Sequence, residues 1–124
     1  MKRTDEREIA FKTIYSKFFN TLDEDFEIDG VDAKSLEFTT EILNNFAEHY
    51  EEINSTISAN LKGYTIERVY KVDLAILVLA VIELNYIKTP KEIVINEAVE
   101  LAKKFSTEKS PKFINGFLAS IVKD

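Results

Sequence analysis

The run LAILVLAVI, residues 74–82, decides the fold class of this 124-residue chain. It is the longest unbroken apolar stretch, and it lies in a segment, 66–87, that is apolar nearly all round. Such a segment forms either a fully buried helix or a buried strand. Its length and its Ala and Leu content favour the helix, while its β-branched residues keep the strand as an alternative. The nine-residue run has about half the length that spans a bilayer.

The composition excludes several classes of protein. The chain has no cysteine, which rules out a disulfide framework, a thiolate nucleophile and a Cys-ligated zinc. Three glycines and two prolines are too few for a turn-rich all-β fold. The N-terminal MKRTDEREIAFKTIY lacks the continuous apolar core of a signal peptide. We therefore expect a cytoplasmic protein that has no membrane-spanning segment and is not a turn-rich all-β fold.

The charge is unevenly distributed along the chain. The net charge of −6 argues at first against a nucleic-acid partner. Residues 21–62 alone carry −9, however, whereas residues 1–20 carry +2 and residues 91–124 carry +1. A solvated acidic face explains the acidic block, and both ends of the chain remain mildly basic.

Helical spacing of apolar residues predicts two helices in the first half. The first covers residues 5–22, with Thr4 as its N-cap. An acidic loop, 20–32, follows it. The second covers residues 33–62, and because such a length is unusual in a small domain, we expect a break near His49. The apolar positions that define the two faces are Phe11, Ile14, Tyr15, Phe18 and Leu22, then Leu36, Leu43, Phe46, Tyr50, Ile53 and Ile57.

Two helix starts are predicted in the second half. Thr89 as N-cap, Pro90 as first helical residue and Glu92 at the third position form a capping box. Ser110 and Pro111 open the last helix in the same way. The faces predicted to be buried consist of Val94, Ala98, Leu101 and Phe105, then of Phe113, Phe117 (or Ile114) and Ile121; Glu100 and Lys104 form an i,i+4 pair.

Catalytic and metal-binding patterns are weak. The single histidine, His49, could meet Glu52 across one helical turn, but a solvated acidic face explains the same residues. No nucleophile-elbow motif accompanies it, and glycines at 30, 63 and 116 cannot form a phosphate-cradling loop. We predict no enzyme activity, no metal and no cofactor, with a hydrolase built on His49 as a distant alternative.

Two basic segments suit RNA binding. One is the N-terminus, and the other surrounds the predicted start of the last helix, where lysines, a helix N-terminus and an aromatic ring can engage phosphates and a base. A solubilising terminus and a charged loop with Phe113 in the core are the alternatives. The basic residues are Lys2, Arg3, Arg7, Lys12 and Lys17, then Lys103, Lys104, Lys109 and Lys112.

Asn115-Gly116 stands inside the last predicted helix. This dipeptide usually marks a hairpin, but no second alternating strand follows it. Glycine inside a helix costs roughly 1 kcal/mol relative to alanine. Gly116 therefore serves either the close approach of another helix or the close approach of a ligand.

The second half of the chain resembles the NusB family of bacterial transcription antitermination factors. INEAVELAKKF (95–105) and KFINGFL (112–118) match the family's late signature, and AFKTIYS (10–16) is similar to its first helix. The resemblance implies one NusB-like domain over residues 1–124. It also implies an all-α fold of about seven helices in two small bundles around the apolar segment, with the break near His49.

The resemblance also implies a function. Family members bind boxA RNA of ribosomal RNA transcripts together with the ribosomal protein NusE, and the pair helps RNA polymerase read through terminators. The start of the central helix near Asp73 corresponds to the partner-binding face. The positions that match RNA contacts of the family are Lys2, Arg3, Arg7, Tyr15, Lys109, Lys112, Phe113, Asn115 and Gly116.

Two departures from the family pattern leave an alternative open. Asp5, Glu6 and Glu8 dilute the Arg-rich N-terminus, and Leu77-Val78 stands where the family usually has Leu-Arg. The first lowers the expected RNA affinity, and the second alters an internal ion pair or a partner contact. The alternative function is a NusB-fold protein-interaction module with weak or no RNA binding.

Overall fold

The computed structural model describes residues 1–19 and 36–122. These residues contain no strand, so the all-α prediction is confirmed and the strand alternative for 74–82 is wrong. A 3-10 turn, Ile66–Arg68, precedes the central helix, and a π-helical turn, Glu83–Ile87, follows it. The helices are α1 (Arg3–Lys17), α2 (Glu37–Asn60), α3 (Lys71–Ile82), α4 (Lys91–Phe105) and α5 (Ser110–Ile121).

Helix α3 is the centre of the core. Every residue from Val72 to Ile82 is buried, and α3 packs against each of the other four helices. A helix that is apolar on all sides can remove its side chains from water only when other elements surround it. Burial of each Leu or Ile side chain contributes about 1.5–3 kcal/mol, so α3 carries much of the hydrophobic stabilisation. None of the described helices is long and apolar enough to cross a membrane.

The number of helices differs from the expectation. The described residues form five α-helices around one hydrophobic cluster, not about seven in two bundles. One reason is that α2 continues across its break: His49 leaves helical geometry (φ −117°, ψ 22°), but the helix resumes directly after it. The break near His49 is thus confirmed as a kink. The predicted loop 20–32 and Leu22 lie outside the described residues.

The π-helical turn packs against this kink. The His49 and Tyr86 rings stack in parallel, with centroids 4.1 Å apart, and the Tyr86 hydroxyl donates to Glu52 at 2.8 Å. His49 therefore takes part in a structural contact between α2 and the turn after α3. Within the described ranges, no three His, Asp or Glu side chains converge where they could hold a metal ion.

The predicted side-chain caps at Thr4 and Thr89 are wrong, because both hydroxyl groups donate hydrogen bonds to carboxylates on other elements. Thr4 lies inside α1 and donates to Glu97 at 2.6 Å. Thr89 lies before α4 and donates to the buried Glu83 at 3.0 Å, so the capping box does not form. The predicted buried face of α4 is confirmed at Val94, Ala98 and Leu101, while Phe105, its fourth member, is half-buried.

Candidate nucleic-acid interface

A directed chain of hydrogen bonds holds the loop between α4 and α5. The Ser106 hydroxyl donates to Asp73 Oδ1 at 2.5 Å, in the range of a hydrogen bond to a charged acceptor. Because a hydroxyl has one proton, Ser110 then donates to Ser106, and Thr107 donates to Ser110, each at 2.8 Å. Ser110 also accepts from the Thr107 backbone N–H at 3.2 Å. Asp73, only 7% exposed in the first turn of α3, therefore anchors the loop to the core.

This anchored loop presents the basic residues of the C-terminal segment. Lys109 directly precedes α5 and Lys112 lies in its first turn, and both are exposed. The N-terminal end of a helix carries exposed N–H groups and a partial positive charge, which favour anions such as phosphate. The Phe113 ring is half-buried against the core. The interpretation that places Phe113 in the core therefore holds in part, and its contact with RNA stays a prediction.

An exposed stripe continues along α5 from the lysines. Lys112, Asn115, Gly116 and Ala119 are all exposed, and their spacing places them on one helical face. A Cβ atom added at Gly116 would meet nothing within 4 Å. Close packing of a neighbouring described helix therefore does not explain this glycine, and the approach of a ligand remains.

The basic N-terminus lies at the far end of α1. Lys2 and Arg3 are exposed, and the Arg3 guanidinium lies 4.5 Å above the centroid of the Phe38 ring. Tyr15 is twelve residues further on, about 18 Å along the helix axis. The structure therefore does not bring Lys2 and Arg3 next to Tyr15.

Tyr15 belongs instead to the end of the molecule that carries the α4–α5 loop. Its ring lies 6.4 Å from that of Phe11, which lies 5.3 Å from that of Phe105. Phe105 is the last residue of α4 and directly precedes Ser106, the first residue of the loop. Tyr15 thus lies at the end of α1 that adjoins the start of the α4–α5 loop, whereas Lys2 and Arg3 form a separate basic point.

Arg7 lies in the interior. It is 4% exposed, and its guanidinium donates to both carboxylate oxygens of Glu83, with Nε–Oε2 at 2.8 Å and Nη2–Oε1 at 2.9 Å. A weaker contact joins Nη1 to Glu97 at 3.4 Å. Thr89 donates to the same Glu83, which is 2% exposed. In this arrangement Arg7 joins α1 to the end of α3 and has no surface for a phosphate.

The acidic residues among the N-terminal basic ones are mostly engaged as well. Glu6 is buried and accepts from the backbone N–H of Thr39 at 3.2 Å, so it caps the start of α2 from α1. Glu8 accepts from Lys104 at 2.6 Å and contacts Lys12 at 3.3 Å. Only Asp5 of the three is exposed. The acidic residues therefore offset the basic charge of the N-terminal surface less than the sequence suggests.

The Glu8–Lys104 contact predicts a measurable titration. The hydrogen bond from Lys104, aided by Lys12, holds the pKa of Glu8 below its ordinary value, against the raising effect of burial. A lowered pKa in the folded state adds stability above the unfolded pKa, and this is lost as pH falls through the folded pKa. Lys104→Ala should raise the pKa of Glu8 in an NMR titration, while stability changes by under about 1 kcal/mol.

Lys103 provides the control for that titration. Its ammonium lies 3.6 Å from Glu100, and removing it changes the net charge by the same amount. Lys103→Ala should leave the pKa of Glu8 unchanged. Equal shifts in the two variants would show a general charge effect instead of the specific pair.

Known proteins match this chain over nearly its whole length. A model of the NusB family matches residues 4–123. The transcription antitermination protein NusB of Finegoldia magna is 40% identical over 130 aligned residues, covering 99% of this chain and 95% of that protein. NusB of Elusimicrobium minutum is 41% identical over 128 residues, covering 95% of this chain and 91% of that protein.

Solved structures match the fold. NusB of T. maritima superposes with a TM-score of 0.88 at 32% identity, covering 100% of this chain and 92% of that one. A crystal structure of the antitermination factors NusB and NusE in complex with dsRNA gives a TM-score of 0.79 at 29% identity, covering 98% of this chain and 97% of that one. On the matches of sequence and structure together, this chain belongs to the NusB family.

Proposed function

We propose that this chain is a transcription antitermination factor that acts as one NusB-like domain without catalysis. In this role it binds boxA RNA of ribosomal RNA transcripts together with the ribosomal protein NusE. The complex joins the RNA polymerase antitermination assembly in the cytoplasm. The likeness to the NusB–NusE–dsRNA structure supports both partners. The observation that carries the RNA contact is the lysine-bearing start of α5, fixed to the core through Ser106 and Asp73.

The proposed RNA-contacting set follows from exposure. Arg7 is left out, because its guanidinium is buried on Glu83. The start of α3 around Asp73 remains the proposed partner face, with the Asp73 carboxylate holding the loop from inside. The proposed RNA contacts are Lys2, Arg3, Tyr15, Lys109, Lys112, Phe113, Asn115 and Gly116.

A titration of labelled boxA RNA tests this function. Fluorescence anisotropy is measured with this protein alone, with NusE alone and with both, at several salt concentrations. Binding that is tightest with both proteins and weakens as salt rises supports the antitermination role. NusE binding without RNA, even at low salt, would support the interaction-module alternative.

Gly116→Ala separates RNA contact from folding. The added methyl group meets nothing in the described protein, so helix propensity should raise the free energy of unfolding by about 0.5–1 kcal/mol. RNA affinity should fall, because the methyl group occupies the space that we assign to RNA. Urea unfolding and the anisotropy titration measure the two effects.

Ala119 offers the matched control on the same face of α5. Ala119→Gly should lower stability by about the same amount and leave RNA affinity unchanged. If Gly116→Ala were more stable and bound RNA as well as the wild type, RNA would not approach α5 at this point.

A further inference from the structure

Tyr64 lies beside the proposed RNA-contacting set, between the helix predicted over 33–62 and the apolar segment 66–87. Its side chain is 38% exposed. Its ring centroid is 6.2 Å from that of Phe113, with an angle of 41° between the ring planes. The two aromatic rings therefore adjoin, and Phe113 follows Lys112 directly.

The backbone before Tyr64 is built as an open turn. Gly63 adopts φ +88°, the left-handed region that favours glycine. A Cβ atom at Gly63 would meet nothing within 4 Å, so no described residue covers this turn. Tyr64 thus projects from an exposed turn toward Phe113.

The charges around the ring suit a nucleic acid. Lys109 and Lys112 are exposed at the start of α5, next to Phe113. Burial, with a smaller contribution from the negative charge of Asp73, raises the pKa of the Tyr64 hydroxyl. The phenol is therefore uncharged at neutral pH and does not repel phosphate.

We propose that Tyr64 is a further RNA-binding residue, which with Phe113 forms a two-ring platform for unpaired bases of the bound RNA. Lysines that engage the backbone beside aromatic rings that stack bases are the recurring means of binding single-stranded RNA. The inference rests on the proposed function, since it extends the same surface across the α2–α3 connection.

Substitutions at Tyr64 test the platform through boxA RNA affinity in the presence of NusE. Stacking of one base on an aromatic ring is worth enough that Tyr64→Ala should weaken binding about tenfold. Tyr64→Phe keeps the ring and should bind within about twofold of the wild type. Ile93→Ala is the control: Ile93 is an apolar side chain, 45% exposed, in the first turn of α4, at the end of that helix opposite the α4–α5 loop.

The salt dependence distinguishes stacking from charge. Tyr64→Ala should lower affinity by the same factor at every salt concentration, because it removes no phosphate contact. Circular dichroism and urea unfolding of each variant show whether the fold is retained. A loss of affinity that follows a loss of folded protein would overturn the stacking assignment.

A tryptophan in place of Tyr64 gives a fluorescence signal that reports RNA close to this position, which a change in folding alone would not reproduce. The chain has no tryptophan, so Tyr64→Trp makes a single reporter. RNA should quench its fluorescence, after subtraction of the wild-type mixture, whereas the fluorescence of Ile93→Trp should change little. Binding that Phe113→Ala weakens but Tyr64→Ala does not would overturn this inference and leave the proposed function standing. Failure of the wild type to bind RNA would overturn both.

Discussion

Arg7→Ala will lower the free energy of unfolding by about 3–5 kcal/mol, the usual cost of breaking a buried ion pair from one side. The substitution removes the guanidinium hydrogen bonds from Glu83, which is 2% exposed, while the Thr89 hydroxyl still donates to that carboxylate. An uncompensated buried carboxylate is among the costliest groups in a protein interior. Urea unfolding followed by circular dichroism measures the loss.

Arg3 provides the matched control for this experiment. Its guanidinium also lies over the Phe38 ring, at 4.5 Å, compared with 5.0 Å for Arg7, but Arg3 is exposed. An exposed cation–π contact contributes about 0.5–1 kcal/mol, so Arg3→Ala should cost no more than that. Similar losses in the two variants would show that the pair with Glu83 contributes little.

A double substitution separates the structural role of Arg7 from RNA contact. Replacing both members of a buried pair by apolar residues is often neutral, so Arg7→Met with Glu83→Leu should recover much of the stability lost in Arg7→Ala. The double variant should also bind boxA RNA like the wild type. A stable double variant that had lost RNA binding would return Arg7 to the set of RNA contacts.

The buried position of Arg7 could have been found in the sequence. Arg7, Phe11 and Ile14 are spaced i, i+4 and i+7, so the basic residue shares the apolar face of α1. Glu83 stands inside a segment that is otherwise apolar, where a charge needs a partner. The pattern shows two charges directed to the core but cannot show that they meet, because 76 residues separate them.

The elements that the sequence predicted correctly depend on local patterns. The apolar run 74–82 requires enclosure, and the spacing of Val94, Ala98 and Leu101 is that of one helical face. The caps failed because the Thr4 and Thr89 hydroxyls bond to Glu97 and Glu83 on other elements. Tyr64 carried no signal in sequence, since its significance comes only from the neighbouring ring of Phe113.

The basic surface of the candidate site was visible in the sequence, but the contacts that hold it in place were not. The lysines near the start of α5 were apparent as a charge cluster, but the loop that presents them is held by Asp73, 33 residues before Ser106. Through that hydrogen bond Asp73 is involved in both proposed surfaces. It stands at the proposed partner face, and it also holds the loop that is proposed to contact RNA. A partner that displaced Asp73 from Ser106 would loosen the loop, so we expect the Ser106 contact to persist in the complex.

Removing the two lysines at the start of α5, Lys109 and Lys112, should have the largest effect on RNA binding. Each phosphate contact to a single strand contributes about −0.7 to the slope of log affinity against log salt. Lys109→Ala with Lys112→Ala should therefore make the slope shallower by about 1.4. Counterion release at these two lysines contributes nothing to affinity at 1 M salt. A slope change of about 1.4 therefore corresponds to roughly a 25-fold loss of affinity at 0.1 M salt. Anisotropy titrations with NusE present, at four or more salt concentrations, give both quantities.

The control must change the net charge equally, because a chain at −6 already repels RNA. Lys88 and Lys91 are exposed and line a cleft with Ser120 and Val122, at the other end of α5. Lys88→Ala with Lys91→Ala should leave the slope nearly unchanged and reduce affinity only slightly. Equal losses in the two double variants would mean that RNA responds to the overall charge of the protein. A loss confined to Lys109 and Lys112 would locate the phosphate contacts at the start of α5, because only a local contact changes the number of ions released.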